Sequence, residues 1–367
     1  MKSLPWVVTA AAVVIAVVGT NKLRESEPKA APETPAKLIA AATADIEKKR
    51  PSDALRKVRK VPTSDRMSPA AREVEGEALF ALHYANRAEA KWKEAIEQET
   101  SLESAPFRLF DLYFLSGRYT DARKLAVELA PKQLSFSYAA AMLLESIRQE
   151  HERPATPVCL EAFEPVLLRE PDDGYALRTV GRCYVELGRI TEGLQLLKAA
   201  TEKQPNNAET WAILFESLHD AGRSAQVVEL FPSAPDAVRK HSRVLRIAAA
   251  AFDAVGNAKA AEERLREAIV ADPFDRKAHT QLAALLSHRG ADAEAKKLVE
   301  RAKELDELRE KQAALLQQAR NQNNDPAPEL MQRLAGVCRD LGWKDVGDGF
   351  EQLANRRLRR ASGAAAP

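Results

Sequence analysis

The chain has 367 residues, 45% of them hydrophobic and only 6% aromatic, with 55 basic against 53 acidic side chains. That apolar content excludes wholesale disorder, and the near-balance of charge excludes a global field that would draw the chain to nucleic acid. The apolar residues are mainly Ala and Leu, and strand-type runs of Val, Ile, Thr and Tyr almost vanish after Gly19, so the composition predicts an all-α fold.

The first predicted element is the uncharged run from Leu4 to Gly19, preceded by Lys2 and the amino terminus. It is longer than a usual signal-peptide core and at the lower edge of a bilayer span, so residues 1–20 read as one hydrophobic helix, a membrane anchor or a signal peptide. Val17 and Gly19 are small enough for a cleavage site, but the A-x-A form is missing, which favours an uncleaved, single-pass anchor over secretion. The positive charges at Lys22, Arg24, Lys29 and Lys37 place the body in the cytoplasm by the positive-inside rule. The one-lysine start and the Pro/Ala spacer that follows argue instead for a periplasmic or extracytoplasmic body, the orientation adopted as the expectation. Residues 21–36 form that Pro/Ala-rich linker, unable to bury a core.

From residue 37 to 309 the sequence repeats. Steps of 34 residues from Gly193 reach Val227, Ala261 and Ala295 forward, and Cys159, Ala122, Ala88 and Ala54 backward, with one step of 37 between Ala122 and Cys159. Seven positions later stand Val61, Ala95, Leu129, Val166, Ala200, Ala234, Ala268 and Ala302; five positions earlier stand Gly117, Gly188, Gly222, Gly256 and Gly290. Each period holds two amphipathic helices whose apolar stripes are too narrow for a core of their own, so units must stack on their neighbours. Small residues let paired helices cross closely, and glycine at the turn can take positive φ.

The stretch from Tyr175 to Pro205 carries Leu177, Val180, Gly181, Tyr184, Gly193, Leu197 and Pro205 in the pattern of the tetratricopeptide repeat, which it resembles. Trp211, Leu214, Leu218, Gly222 and Phe231 continue the pattern, as do Leu245, Phe252, Gly256, Ala261, Leu265, Ala268 and Pro273; Tyr113, Gly117 and Ala122 stand in the same frame. The resemblance implies a right-handed α-solenoid of about eight stacked helix-turn-helix units, the first and last degenerate. Gly181, Tyr184, Gly193, Trp211, Ala261, Ala268 and Ala295 are then packing positions rather than a ligand-cradling set. Two departures stand out: a longer turn at the segment from His151 to Val158, and Pro232 with Pro235 shortening a second helix. Beyond it, a long charged helix from Asp292 to Asn321 and a degenerate pair ending near residue 358 read as an extension and a terminal cap, with a disordered tail at 359–367.

No catalytic constellation, cofactor loop or metal-ligand spacing occurs in the sequence: the six histidines form no HExxH or HxH, and His219 with Asp220 falls at a repeat turn. The expectation is therefore a non-enzyme with no cofactor and no metal. Cys159, Cys183 and Cys338 include no CxxC pair and read as small buried residues, leaving open whether Cys159 and Cys183 pair.

In the family resembled, partners bind in a concave groove lined by the first helix of each unit. Carried over by position, that groove would hold Phe107, Asp111 and Phe114; Tyr138, Glu145 and Arg148; Tyr175, Arg178, Arg182 and Glu186; Glu209, Glu216 and His219; Arg243, Arg246 and Asp253; and Lys277. Phe107 and Phe114 suit an anchor for a partner side chain or, equally, cover for a neighbouring helix. Arg178, Arg182, Arg243 and Arg246 read either as a basic zone for carboxylates or as partners of Glu216, Glu186 and Asp253. The asparagines of a chaperone-tail clamp are missing, Arg182 and Ile213 standing in their places. The function implied is a membrane-tethered scaffold that binds an extended peptide or helix of another protein; its placement in an envelope assembly is an analogy alone. The alternative is anionic-lipid or nucleic-acid binding through the basic segments 48–60 and 356–360, with nucleic acid disfavoured by the lack of interleaved aromatics.

Overall fold

The computed structural model describes residues 33–99, 104–132, 136–148, 154–322 and 326–361, the side chains of 136–138, 148, 360 and 361 excepted. The apolar run 4–19, the linker before residue 33 and the tail beyond residue 361 lie outside the described residues. Every regular element among those described is helical. None of these helices is long and apolar enough to cross a membrane.

Helices α1 (Pro35–Glu47) and α2 (Pro51–Lys60) form the first hairpin, followed by the single turn α3 (Thr63–Arg66). Next come α4 (Pro69–Ala81) with α5 (Ala85–Gln98) and α6 (Ser104–Leu115) with α7 (Tyr119–Leu129). Helices α8 (Phe136–Arg148) and α9 (Thr156–Arg169) stand where a fourth hairpin is expected, then α10 (Gly174–Glu186) pairs with α11 (Ile190–Lys203). Helix α12 (Ala208–Asp220) precedes α13 (Ser224–Leu230), which stops after seven residues where Pro232 and Pro235 intervene, giving a 3-10 turn and the one-turn α14 (Asp236–Arg239). Helices α15 (Ser242–Ala254) and α16 (Ala258–Ala271) pair, and α17 (Arg276–His288) pairs with the 30-residue α18 (Asp292–Asn321). The chain closes with α19 (Pro328–Asp340) and α20 (Lys344–Ala361), so helix runs into the segment expected to be a tail.

Both small-residue registers are interior. Ala54, Ala88, Ala122, Cys159, Val227, Ala261 and Ala295 are at most 2% exposed, Gly193 is buried with them, and all eight residues of the second register are buried. The tightest approach joins α10 to α11. A Cβ on Gly193 would stand 2.6 Å from the Gly181 carbonyl oxygen and 2.8 Å from the Val185 nitrogen, so neither helix can take a side chain there without moving backbone. At several unit starts the first helix is capped by an Asp or Asn side chain: Asp173 Oδ1 accepts from the Tyr175 and Ala176 amides, and Asn207 Oδ1 from Thr210.

The turn between paired helices needs one left-handed residue. Gly188 supplies it at φ 82°, but the same place in the first two hairpins is filled by Lys49 at 56° and His83 at 65°, each 34 residues from the next member of the series. In the fourth unit the place falls on Pro154, whose ring fixes φ near −65°. That turn cannot form, and α8 and α9 do not close a hairpin. Helix α9 packs on α6 and α10, while α8 packs on α7 and on α20.

The last pair packs on α18 through α19, and its second helix turns the chain back on itself. It folds back onto α7 and α8, where α20 takes the place left beside α8. Phe350, Leu353 and Ala354 are fully buried in one cluster with Ala130, Leu143 and Ile147, and Gly349 lies against Leu143. Arg356 Nη1 donates to the carbonyls of Ala130 (3.0 Å) and Lys132 (2.6 Å), serving acceptors left over at the end of α7. The turn between α19 and α20 is pinned on both sides: Arg123 of α7 covers the Trp343 ring at 4.6 Å, and Gly342 abuts the Phe274 ring between α16 and α17.

Candidate partner-binding face

Helix α6 separates two kinds of residue by its period. Leu109, Phe110, Leu112 and Tyr113 turn inward and are at most 4% exposed, whereas Phe107, Asp111 and Phe114 share a half-buried stripe at i, i+4 and i+7. With Phe110, that stripe forms one wall of a cavity of about 360 Å³. Ala141, Met142, Leu144 and Glu145 of α8 form a second wall, and Leu316 and Arg320 of α18 a third. Phe107, Asp111, Phe114 and Glu145 are thus brought together. The contribution of α18 had no signal in the repeat pattern, because α6 and α18 are far apart in sequence and meet at this cavity.

Asp111 is the electrostatic feature of this cavity. Among the described residues it accepts no hydrogen bond and joins no ion pair. Burial pushes its carboxyl up to about 6, with Glu145 adding to the rise and Arg108 opposing it.

The arginines expected to form a basic zone do not form an open patch. Arg178 is 1% exposed and donates from Nη2 to the Ser116 carbonyl at 2.6 Å, and burial lowers its pKa. Its burial follows from the missing fourth hairpin: with α8 out of the row, α10 lies against the turn between α6 and α7, and Thr179 also donates to Ser116. Tyr175 is stacked between Arg118 and Arg178, whose guanidinium carbons stand 4.0 and 5.1 Å from its ring centre. Arg182 reaches Glu186 at 3.4 Å. Arg243 bridges Glu209 and Glu216, and Arg246 pairs with Asp275 at 3.2 Å rather than with Asp253. The side chains of Tyr138 and Arg148 lie outside the described residues.

The remaining expected positions have structural surroundings. Tyr184 donates to Glu164 and is covered by Arg189 at 3.6 Å. Trp211 Nε1 donates to the Pro205 carbonyl at 2.8 Å. Ala261, Ala268 and Ala295 are buried. His219 shares a hydrogen bond with Ser224, not with Asp220. Cys159 and Cys183 are buried free thiols; a hydrogen bond from Cys183, helped by Arg182, holds the Cys159 thiol below its ordinary range. In the basic segments, Arg50 and Lys57 are engaged by Asp45, Arg56 by Asp53, Arg356 by α7 and Arg357 by the Pro326 carbonyl, so much of that charge is used inside the fold.

The tetratricopeptide repeat family model matches residues 160–214, the stretch from α9 into α12. No curated protein matches the chain in sequence. Among solved structures, a crystal structure of MamA is 19% identical, over 42% of this chain and 91% of that one, at a TM-score of 0.37. MamA 41-end from Desulfovibrio magneticus RS-1 is 14% identical, over 47% and 96%, also at 0.37. MamA MSR-1 C2 is 22% identical, over 52% and 97%, at 0.33. Residues 160–214 are thus similar to tetratricopeptide repeats, within a chain whose regular elements, among the described residues, are all helical.

Proposed function

We propose that the protein is a non-catalytic scaffold that binds a segment of another protein on the face formed by α6, α8 and α18. The carrying observation is the convergence of Phe107, Phe110 and Phe114 on an accessible cavity of about 360 Å³, large enough to bury one or two partner side chains. Aromatic side chains left half-buried, as Phe107 and Phe114 are, are costly in water and favourable under a partner. Residues 4–19 would tether this scaffold to a membrane, with the repeat body on the extracytoplasmic side; carbonate extraction and a C-terminal topology reporter check both points.

The partner face is tested by placing a benzoylphenylalanine photocrosslinker at Phe114 and, as a control, at Val270, which is 83% exposed on α16. Crosslinked partner in cells is expected from position 114 and not from 270. Equal yields at both positions, or none at 114, would refute the assignment.

A further inference from the structure

The cavity on α6 is not simply apolar. Three phenylalanine rings and the side chains of Met142, Leu144 and Leu316 surround two carboxylates, Asp111 and Glu145. The cation that lines it, Arg320, sits at the exposed edge on α18, and Arg108 of α6 acts on Asp111 from outside the lining. Taking a carboxylate out of water costs free energy unless an opposite charge or hydrogen-bond donor meets it, and nothing among the described residues donates to Asp111. Aromatic walls around a carboxylate are the surroundings that suit a cation carried on an apolar stem. The stem lies against the rings, the ring faces attract the charge, and the carboxylate pairs with it.

We propose that this cavity receives a basic side chain, arginine or lysine, of the bound partner segment, with Asp111 as its counter-charge and Phe107, Phe110 and Phe114 as its walls. The inference rests on the partner-face reading and narrows it: the partner segment presents a cation, not the carboxylate expected of a basic groove. The pairing of Arg182, Arg243 and Arg246 with the chain's own acids fits the same view, since these arginines are not held open for an acidic ligand.

The test uses the full chain and two probes, the peptide acetyl-Gly-Ala-Ala-Arg-Ala-Ala-Gly-amide and the same peptide with citrulline, which keeps the shape of arginine and removes its charge. Ligand-observed NMR at pH 7.5 should give about tenfold tighter binding of the arginine peptide, the size expected for one charge-assisted pair in a partly desolvated site. Asp111→Asn, checked for fold by circular dichroism, should bring the two peptides within about twofold. In the unmodified protein the preference should shrink in the same way at pH 5, where Asp111 is largely protonated. A ratio near one in the unmodified protein, a ratio that survives Asp111→Asn, or no measurable binding of either peptide would overturn the proposal. Partner crosslinking from Phe114 with a peptide ratio near one would leave the binding face standing and remove only the basic side chain.

Discussion

Replacing Gly193 by alanine tests the packing of α10 against α11 directly. The added methyl would stand 2.6 Å from the Gly181 carbonyl oxygen, 2.7 Å from Val185 Cγ2 and 2.8 Å from the Val185 nitrogen. Two of those atoms are backbone, so the helices must separate by more than half an ångström, at an overpacking cost of roughly 1–3 kcal/mol. Alanine's better helix propensity returns about 1 kcal/mol, leaving a net loss of up to about 2 kcal/mol. At Gly181 the same methyl meets the Gly193 oxygen and Leu197 Cγ at 3.0 Å and Leu196 Cβ at 3.1 Å. A few tenths of an ångström relieve that crowding, and the propensity gain offsets most of it. Urea unfolding followed by far-UV circular dichroism should therefore rank Gly193→Ala well below the unmodified protein and Gly181→Ala close to it. The reasoning fails if Gly193→Ala is as stable as the unmodified chain, or if Gly181→Ala is the more damaging change.

Asp111 gives a pH signature with a definite sign. Its folded pKa of about 6 lies above the ordinary carboxyl value of 3.8, so the folded state holds the proton more tightly. Its contribution to stability is greatest below the lower value, declines as pH rises through 6 and stays low above it. Asp111→Asn should match the unmodified protein near pH 4 and exceed it at pH 8, by no more than about 2 kcal/mol after allowance for partial exposure; urea titrations at the two pH values decide this. His83→Gly and Lys49→Gly should each raise the unfolding free energy by about 1 kcal/mol, because a non-glycine left-handed residue is relieved at each turn. Arg356→Ala should cost about 2 kcal/mol through lost charge-assisted bonds to two carbonyls, and hydrogen exchange should speed up first in α19 and α20.

What was legible in the sequence followed the 34-residue period. The small residues from Ala54 to Ala295 could be read because each meets the same kind of neighbour, so the same steric demand recurs eight times. Lys49, His83 and Pro154 fall in the glycine register too, yet a search for glycine alone passes over them. Pro154 was the decisive case: subtracting five from Cys159 places a proline where a left-handed turn is required, which forbids the fourth hairpin. The docking of α20 beside α8 carried no periodic signal, since a contact between distant segments depends on shape and not on spacing. Arg178 was assigned to the groove by counting positions within its unit; that count presumes an uninterrupted row, and the row is interrupted one unit earlier. On the candidate face, Phe107, Asp111 and Phe114 were accessible to helical geometry, whereas Leu316 and Arg320 came from a helix the period could not locate.

A row of stacked hairpins behaves mechanically as a spring, because each hairpin touches only its neighbours and small rotations add along its length. The link from Arg356 to Lys132 joins residues 224 apart in sequence. Against the 34-residue separation of neighbouring units, closing that span in a flexible chain costs about 1.7 kcal/mol more in entropy, so it belongs to a late step of folding, after the hairpins have shortened the path. Once made, it clasps the spring from the seventh helix to the last. Stretching or twisting that would spread over five hairpins is then borne by one joint, and the cavity walled by α6, α8 and α18 lies beside that joint. A partner that pries or tightens the clasp would change the stiffness of the whole molecule.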